Sequence, residues 1–255
     1  MSVIFAIALN TWKQFVRDRI FYIVLIAALL LLGFSYFLAT LTIIESRKIL
    51  LDFAFGAVSL AGGMMAIFVG IVAVAKEIEL KTIYTVITKP VSRSGYLAGK
   101  LLGCFAVLAV GHLLLTLTIR LILLISGEAA PAGFYACSLL ILMESTILLG
   151  VASFFSVFSS SILASGLTLA FFLIGRSNHA LLTMSEKGVT AEVRSIARGL
   201  YYFFPNLERF NIRDVVAYER PYPPEMITWG LIYMLAYVAF SYAAACLVFQ
   251  RRDLP

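Results

Sequence analysis

Six apolar runs, at residues 20–42, 53–75, 101–126, 134–155, 157–175 and 227–249, dominate this sequence. A helix needs about 20 mostly apolar residues to cross the hydrocarbon of a bilayer. Helices and closed barrels alone satisfy their backbone hydrogen bonds there, and runs this long and this uniformly apolar read as helices. The runs therefore predict an all-α membrane protein with six transmembrane helices. Composition agrees: 62% of the residues are hydrophobic and 13% charged, against about 45–50% and 25% in soluble domains. The weakest boundary lies between the fourth and fifth runs, where only the Ser-Val-Phe-Ser-Ser-Ser string at 156–161 intervenes.

Lysine and arginine near the span ends set the orientation. With the amino terminus inside, the cytoplasmic segments hold Lys13, Arg17, Arg19, Lys76, Lys81, Lys89, Arg93, Lys100, Arg251 and Arg252. The short outer loops hold Arg47 and Lys48. The long segment 176–226 carries seven basic and six acidic residues, so it adds little net bias. Both termini are expected to be cytoplasmic, in the manner of a multi-pass protein of a bacterial-type inner membrane. Residues 1–19 read as an amphipathic interfacial helix. Ile4, Phe5, Ala8, Leu9, Trp12, Phe15 and Val16 share one face, and Asn10, Lys13, Gln14 and Arg17 lie opposite. Such a helix lies in the headgroup region; a plain extension of the first span is the alternative. The run that follows is too long for a cleaved signal peptide. The domain plan is thus 1–19, five spans over 20–175, an outer helical segment at 176–226, a sixth span at 227–249 and a short inner tail at 250–255.

Between the second and third runs lies the only charge-dense stretch of the first 175 residues, from Lys76 to Lys100. Leu80, Ile83, Tyr84 and Ile87 fall on one helical face, with Lys81, Thr82, Thr85 and Thr88 opposite. Pro90 disfavours helix at Lys89 and marks an end, and Ser94 is placed to cap the next helix. A short amphipathic helix held between two spans suits a soluble partner; an ordinary solvated loop is the other reading. The string Glu77, Glu79, Lys81-Thr82, then Lys89-Pro90-Val91-Ser92-Arg93, Tyr96 and Gly99-Lys100 resembles the cytoplasmic loop of type-2 ABC export permeases. The resemblance implies a coupling helix at 77–93 that docks on an ATPase subunit. It assigns the contact to Glu77, Glu79, Lys81, Thr82, Ile83, Tyr84, Thr85, Lys89, Pro90, Val91, Ser92 and Arg93. It also implies a second permease subunit, identical or different, and outer helices before the last span that close the exit.

Inside the spans, Gly62, Ala66 and Gly70 recur every four residues and define a small-residue face. Such faces let helix backbones approach closely in lipid, within a subunit or across a dimer seam. Three ionisable residues lie in the apolar runs: His112, Arg120 and Glu144. Intramembrane charges are costly and mark function or a structural pair. Arg120 and Glu144 lie on runs joined by a short loop and are expected to pair; lining a cargo path is the other possibility. His112 is expected to hydrogen-bond a neighbouring carbonyl. In the outer segment, 190–204 reads as an amphipathic helix stopped by Pro205. Pro221, Pro223 and Pro224 stiffen the approach to the last span, and the whole is expected to lie on the membrane as a cap. The cysteines Cys104, Cys137 and Cys246 sit on three separate runs with neither CxxC nor metal-ligand spacing, so no metal is expected.

No catalytic motif is visible. Gly95-Tyr-Leu-Ala-Gly-Lys-Leu has one residue too few between its glycines for a P-loop and Leu101 where Ser or Thr is needed. There is no HExxH and no GxSxG. The chain is not expected to be an enzyme. ATP and magnesium would belong to a partner, and lipid, not nucleic acid, surrounds it. Three function classes follow: the membrane subunit of an ATP-driven exporter, a secondary transporter or channel, and a non-transporting membrane scaffold. The second would more often show inverted repeats with broken spans, which this sequence lacks.

Overall fold

The computed structural model describes residues 3–41, 45–79, 92–187 and 190–251, and these are helical with short connections. In order, α1 (Val3–Val16), α2 (Arg19–Thr40), α3 (Ser46–Glu79), α4 (Arg93–Ile125), α5 (Phe134–Phe158) and α6 (Ser161–Arg176) form the main bundle. The shorter α7 (Asn178–Lys187), α8 (Ala191–Phe203), a 3-10 turn (Leu207–Phe210) and α9 (Arg213–Ala217) lead into α10 (Glu225–Arg251). Five of these, α2 to α5 and α10, are long and apolar enough to cross a membrane. The fifth apolar run forms a shorter helix than its length in sequence predicts, because Ser160 caps α6 and starts it at Ser161. Its 16 residues reach about 24 Å at 1.5 Å per residue, short of the roughly 30 Å of hydrocarbon.

Burial ranks the spans. In α5 and α3, 83% and 72% of the apolar window is buried, against 22% in α2 and 11% in α10. Apolar on all sides, α5 is the axis, with α3 on one flank and α10 on another. Its polar residues Ser138, Glu144, Ser145, Ser153 and Ser156 are all buried, as expected where the outside is lipid and polar groups find partners only within the bundle. By contrast α2 and α10 present Leu30, Phe37, Phe240 and Leu247 outward.

The small-residue face of α3 is used inside the subunit. A Cβ on Gly62 would collide with Ser145 Oγ, and one on Gly70 would lie 2.7 Å from Ala152 Cβ and 3.1 Å from the Leu149 carbonyl. Ala66 is fully buried. Gly62 and Gly70 thus bring α3 close against α5 within the subunit. A second seam went unnoticed in the sequence. On α4, a Cβ at Gly99 would meet Ile7 Cβ at 2.8 Å and the Ile4 carbonyl at 2.9 Å; one at Gly103 would meet the Ala8 carbonyl and Thr11 Cβ at 2.6 Å. Successive turns of α1 therefore meet successive turns of α4, and the two run side by side in the same direction. The packed face of α1 is Ile7, Ala8, Thr11 and Phe15, rotated from the face that hydropathy alone defines; Ile4, Phe5 and Leu9 stay exposed. Asp18 then caps α2, its carboxylate accepting from Ile20 N at 2.8 Å, and breaks the chain into two helices.

Helices α3 and α4 have 34 and 33 residues, about 50 Å each. The start of α2 lines a small crevice with Met65, Val69 and Val72 of α3, so residues 73–79 of α3 project past it. This projecting end, which flanks residues 80–91, is called the loop end below. The outer segment sits at the opposite end. It meets the bundle through Leu207 and Phe210, which are buried, and through Phe204, which packs on Phe171 of α6 with ring centroids 5.3 Å apart, while Ile196, Tyr202 and Phe203 of α8 stay exposed.

Candidate functional site

Among the described residues, three ion-paired clusters stand out in an otherwise apolar molecule, and all three involve α3. The first is at the loop end. Lys81, Thr82, Ile83, Tyr84, Thr85, Lys89, Pro90 and Val91 lie outside the described residues, as does the side chain of Glu79. What is described is the footing on either side. Ser92, not Ser94, caps α4, its Oγ accepting from Gly95 N at 3.1 Å. Glu77 of α3 faces α4 and uses both carboxylate oxygens: Oε1 accepts from Lys100 Nζ at 2.5 Å, and Oε2 accepts from the Tyr96 hydroxyl. The Lys100 side chain is 4% exposed, which only a close counter-charge makes tolerable. Arg93 donates to the carbonyls of Phe249 (2.8 Å) and Gln250 (3.1 Å) at the end of α10. Tyr96 stacks on Phe249 at 6.2 Å, and Tyr242 of α10 donates to the Ser94 carbonyl at 3.0 Å.

The second cluster is at mid-bundle. Glu144 is paired, but with Arg176 and not Arg120. Arg176 Nε donates to Glu144 Oε1 at 2.9 Å. Its Nη2 donates to Ser59 Oγ, which in turn donates to Glu144 Oε2 at 3.0 Å. The guanidinium also lies over Phe172, 5.3 Å from the ring centre. One ion pair thus ties α3, α5 and the end of α6. Arg120 is excluded by azimuth and depth. Ile119 and Leu123 fill the inward face of α4, and one residue is about 100° round a helix. Its Nη1 is buried without a hydrogen-bond partner among the described residues. The signal for Arg176 was in the sequence: a cation closing an unusually short apolar run ends inside the bundle. His112 bonds a hydroxyl, not a carbonyl, with Nε2 2.9 Å from Ser138 Oγ.

The third cluster ties the outer segment to the far end of α3. Arg213 of α9 meets Asp52 at 3.2 Å, and Arg47 meets Glu219. Between these ends, a cleft of about 720 Å³ opens among α5, α6, α8 and α10, walled by Phe154, Phe171, Phe204, Tyr237 and Phe240.

A bundle of apolar spans, a long α3–α4 hairpin whose two helices are joined by the Glu77–Lys100 pair, and a helical insertion before the last span together fit a transport subunit. A family model described as ABC-2 family transporter protein matches residues 5–254. The chain belongs to the ABC-2 transporter family. It is accordingly a multi-pass membrane permease of an ABC transporter, and an ABC ATPase is the partner this family implies in general. No curated protein matches the sequence. Within the ABC-2 permease, the Glu77 footing, the Glu144–Arg176 pair and the outer ion pairs are features of this chain's own residues.

Proposed function

We propose that this permease works as a dimer, of two identical or two related subunits, with two ATPase subunits docked at the loop end, and that it moves a hydrophobic or amphipathic cargo out of the inner leaflet or across the bilayer. Both termini and residues 80–91 are then cytoplasmic, consistent with the lysine and arginine bias. The observation that carries the reading is the footing of residues 80–91: a solvated linker has no use for a buried Lys100–Glu77 pair and a guanidinium on the last carbonyls of α10. Residues Glu79, Lys81, Thr82, Ile83, Tyr84, Thr85, Lys89, Pro90 and Val91 supply the contact itself. ATP and Mg²⁺ bind in the ATPase partner. The aromatic cleft supports a lipid-like cargo, since an apolar wall of this kind gives no counter-charge to a small ion.

The test is purification of the tagged permease from its own membranes. An ATPase subunit should co-purify in stoichiometric amount with the parent, and the double variant Ile83→Asp, Tyr84→Asp should lose it or lose ATP-dependent activity. A permease that purifies alone and is active alone would favour the secondary-transporter or channel class. Cross-linking in the membrane should show two permease copies per complex.

A further inference from the structure

The end of the last helix is built into the same cluster as the two helices that flank residues 80–91. Arg93 lies at the first residue of α4 and donates to the carbonyls of Phe249 and Gln250. Those are among the last carbonyls of α10, which have no intrahelical donor and carry the negative end of the helix dipole. The guanidinium also lies 5.7 Å from the Phe249 ring centre. Phe249 itself is 1% exposed and is held from the other side by Tyr96. Tyr96 spends its hydroxyl on Glu77 of α3, so one tyrosine touches all three helices. Two turns back along α10, Tyr242 donates to the Ser94 carbonyl. Elsewhere α10 is the least buried of the spans. Among the described residues, three of its hydrogen bonds to other helices fall here, and its Tyr233 hydroxyl accepts from Asn206 N nearer the outer segment.

We propose that the end of α10 belongs to the surface through which the ATPase drives the permease. On this proposal, which rests on docking at residues 80–91, α3, α4 and α10 shift as one block when that segment is pushed. Arg93 and Tyr96 are positioning residues: Arg93 joins α10 to α4, and Tyr96 joins both to α3. Because α10 leads back to the outer segment through Pro223 and Pro224, the block gives the drive a second route outward besides α3.

Hydrogen exchange on the permease–ATPase complex, without nucleotide and trapped with ATP and vanadate, tests this without knowledge of the cargo. Amides of residues 245–251 should change exchange rate about tenfold on trapping, together with those of 93–97. In Arg93→Met the change at 245–251 should vanish while that at 93–97 persists, and Arg93→Lys should restore part of it. A trapped parent complex with altered exchange at 80–97 and none at 245–251 would overturn the proposal and leave docking intact. Absence of any change at 80–91 when the ATPase binds would instead sink the docking reading.

Discussion

At the loop end of α3, Glu77 divides its two oxygens between Lys100 and Tyr96, and the lysine side chain is 4% exposed. At the other end of the same helix, Arg47 and Asp52 meet Glu219 and Arg213 in pairs whose side chains are 28–57% exposed. The chemistry is the same and the surroundings are not. Breaking a buried pair from one side strands a charge, at about 3–5 kcal/mol, whereas exposed pairs contribute about 0–1 kcal/mol. One continuous helix of 34 residues therefore has a stiff grip where the ATPase is proposed to push and a yielding one where Arg47 and Asp52 meet the segment before the last span.

The mid-bundle pair, with side chains 2% and 25% exposed, is buried like the loop-end pair, ties three helices, and carries the largest expected effect. Glu144→Leu or Arg176→Leu alone should lower stability by about 3–5 kcal/mol, and the double change should recover much of it. Arg120→Leu should be neutral or stabilising, since it removes a buried nitrogen that has no partner among the described residues. Thermal unfolding of the purified protein in detergent reads all four variants. Equal damage from Arg120→Leu and Glu144→Leu would contradict the geometry of the pair.

Next comes the loop end itself. Glu77→Gln keeps the shape but removes the charge opposite Lys100, an effect at the lower end of about 3–5 kcal/mol. Adding Lys100→Met should restore the melting temperature while leaving α3 and α4 unlatched. A recovered fold with weakened nucleotide-dependent motion would separate stability from transmission. Smaller again is Gly99→Ala, where a new Cβ would sit 2.8 Å from Ile7 Cβ. It should cost about 1 kcal/mol and make trypsin cleave faster at Lys13 and Arg17 as α1 loosens from α4.

The legible parts of the sequence were those written in periodicity and caps. Thr190 and Pro205 bracket α8 as predicted, and the long apolar runs became helices. The less legible parts depended on azimuth and depth. Hydropathy marks Glu144 as needing a partner but not which side of α5 it leaves from, so the nearer-looking Arg120 displaced Arg176. The Gly95, Gly99, Gly103 spacing was as visible as that of Gly62, Ala66 and Gly70, yet it was hidden in a string read for docking. Leu207 packs against Gly175 where α6 stops at Arg176, and a one-dimensional reading has no measure of the space left there.

The smallest effect is expected at the outer end, where it is also the most diagnostic. Asp52→Asn and Glu219→Gln should each change stability by about 0–1 kcal/mol, because both pairs are substantially exposed and screened. Salt should imitate the substitutions. Raising ionic strength from about 0.1 M to 1 M shortens the screening length from about 10 Å to 3 Å, which weakens exposed pairs and leaves buried ones nearly untouched. Trypsin cleavage at Arg209, Arg213 and Arg220 should therefore accelerate with salt in the parent. It should be faster at low salt and less salt-dependent in Asp52→Asn combined with Glu219→Gln. Melting of the bundle as a whole should hardly move in either case, since the Glu77–Lys100 and Glu144–Arg176 pairs are shielded. If salt instead destabilised the whole bundle and left outer cleavage unchanged, the stiff and yielding ends of α3 would have to be exchanged, and the direction of force through the helix with them.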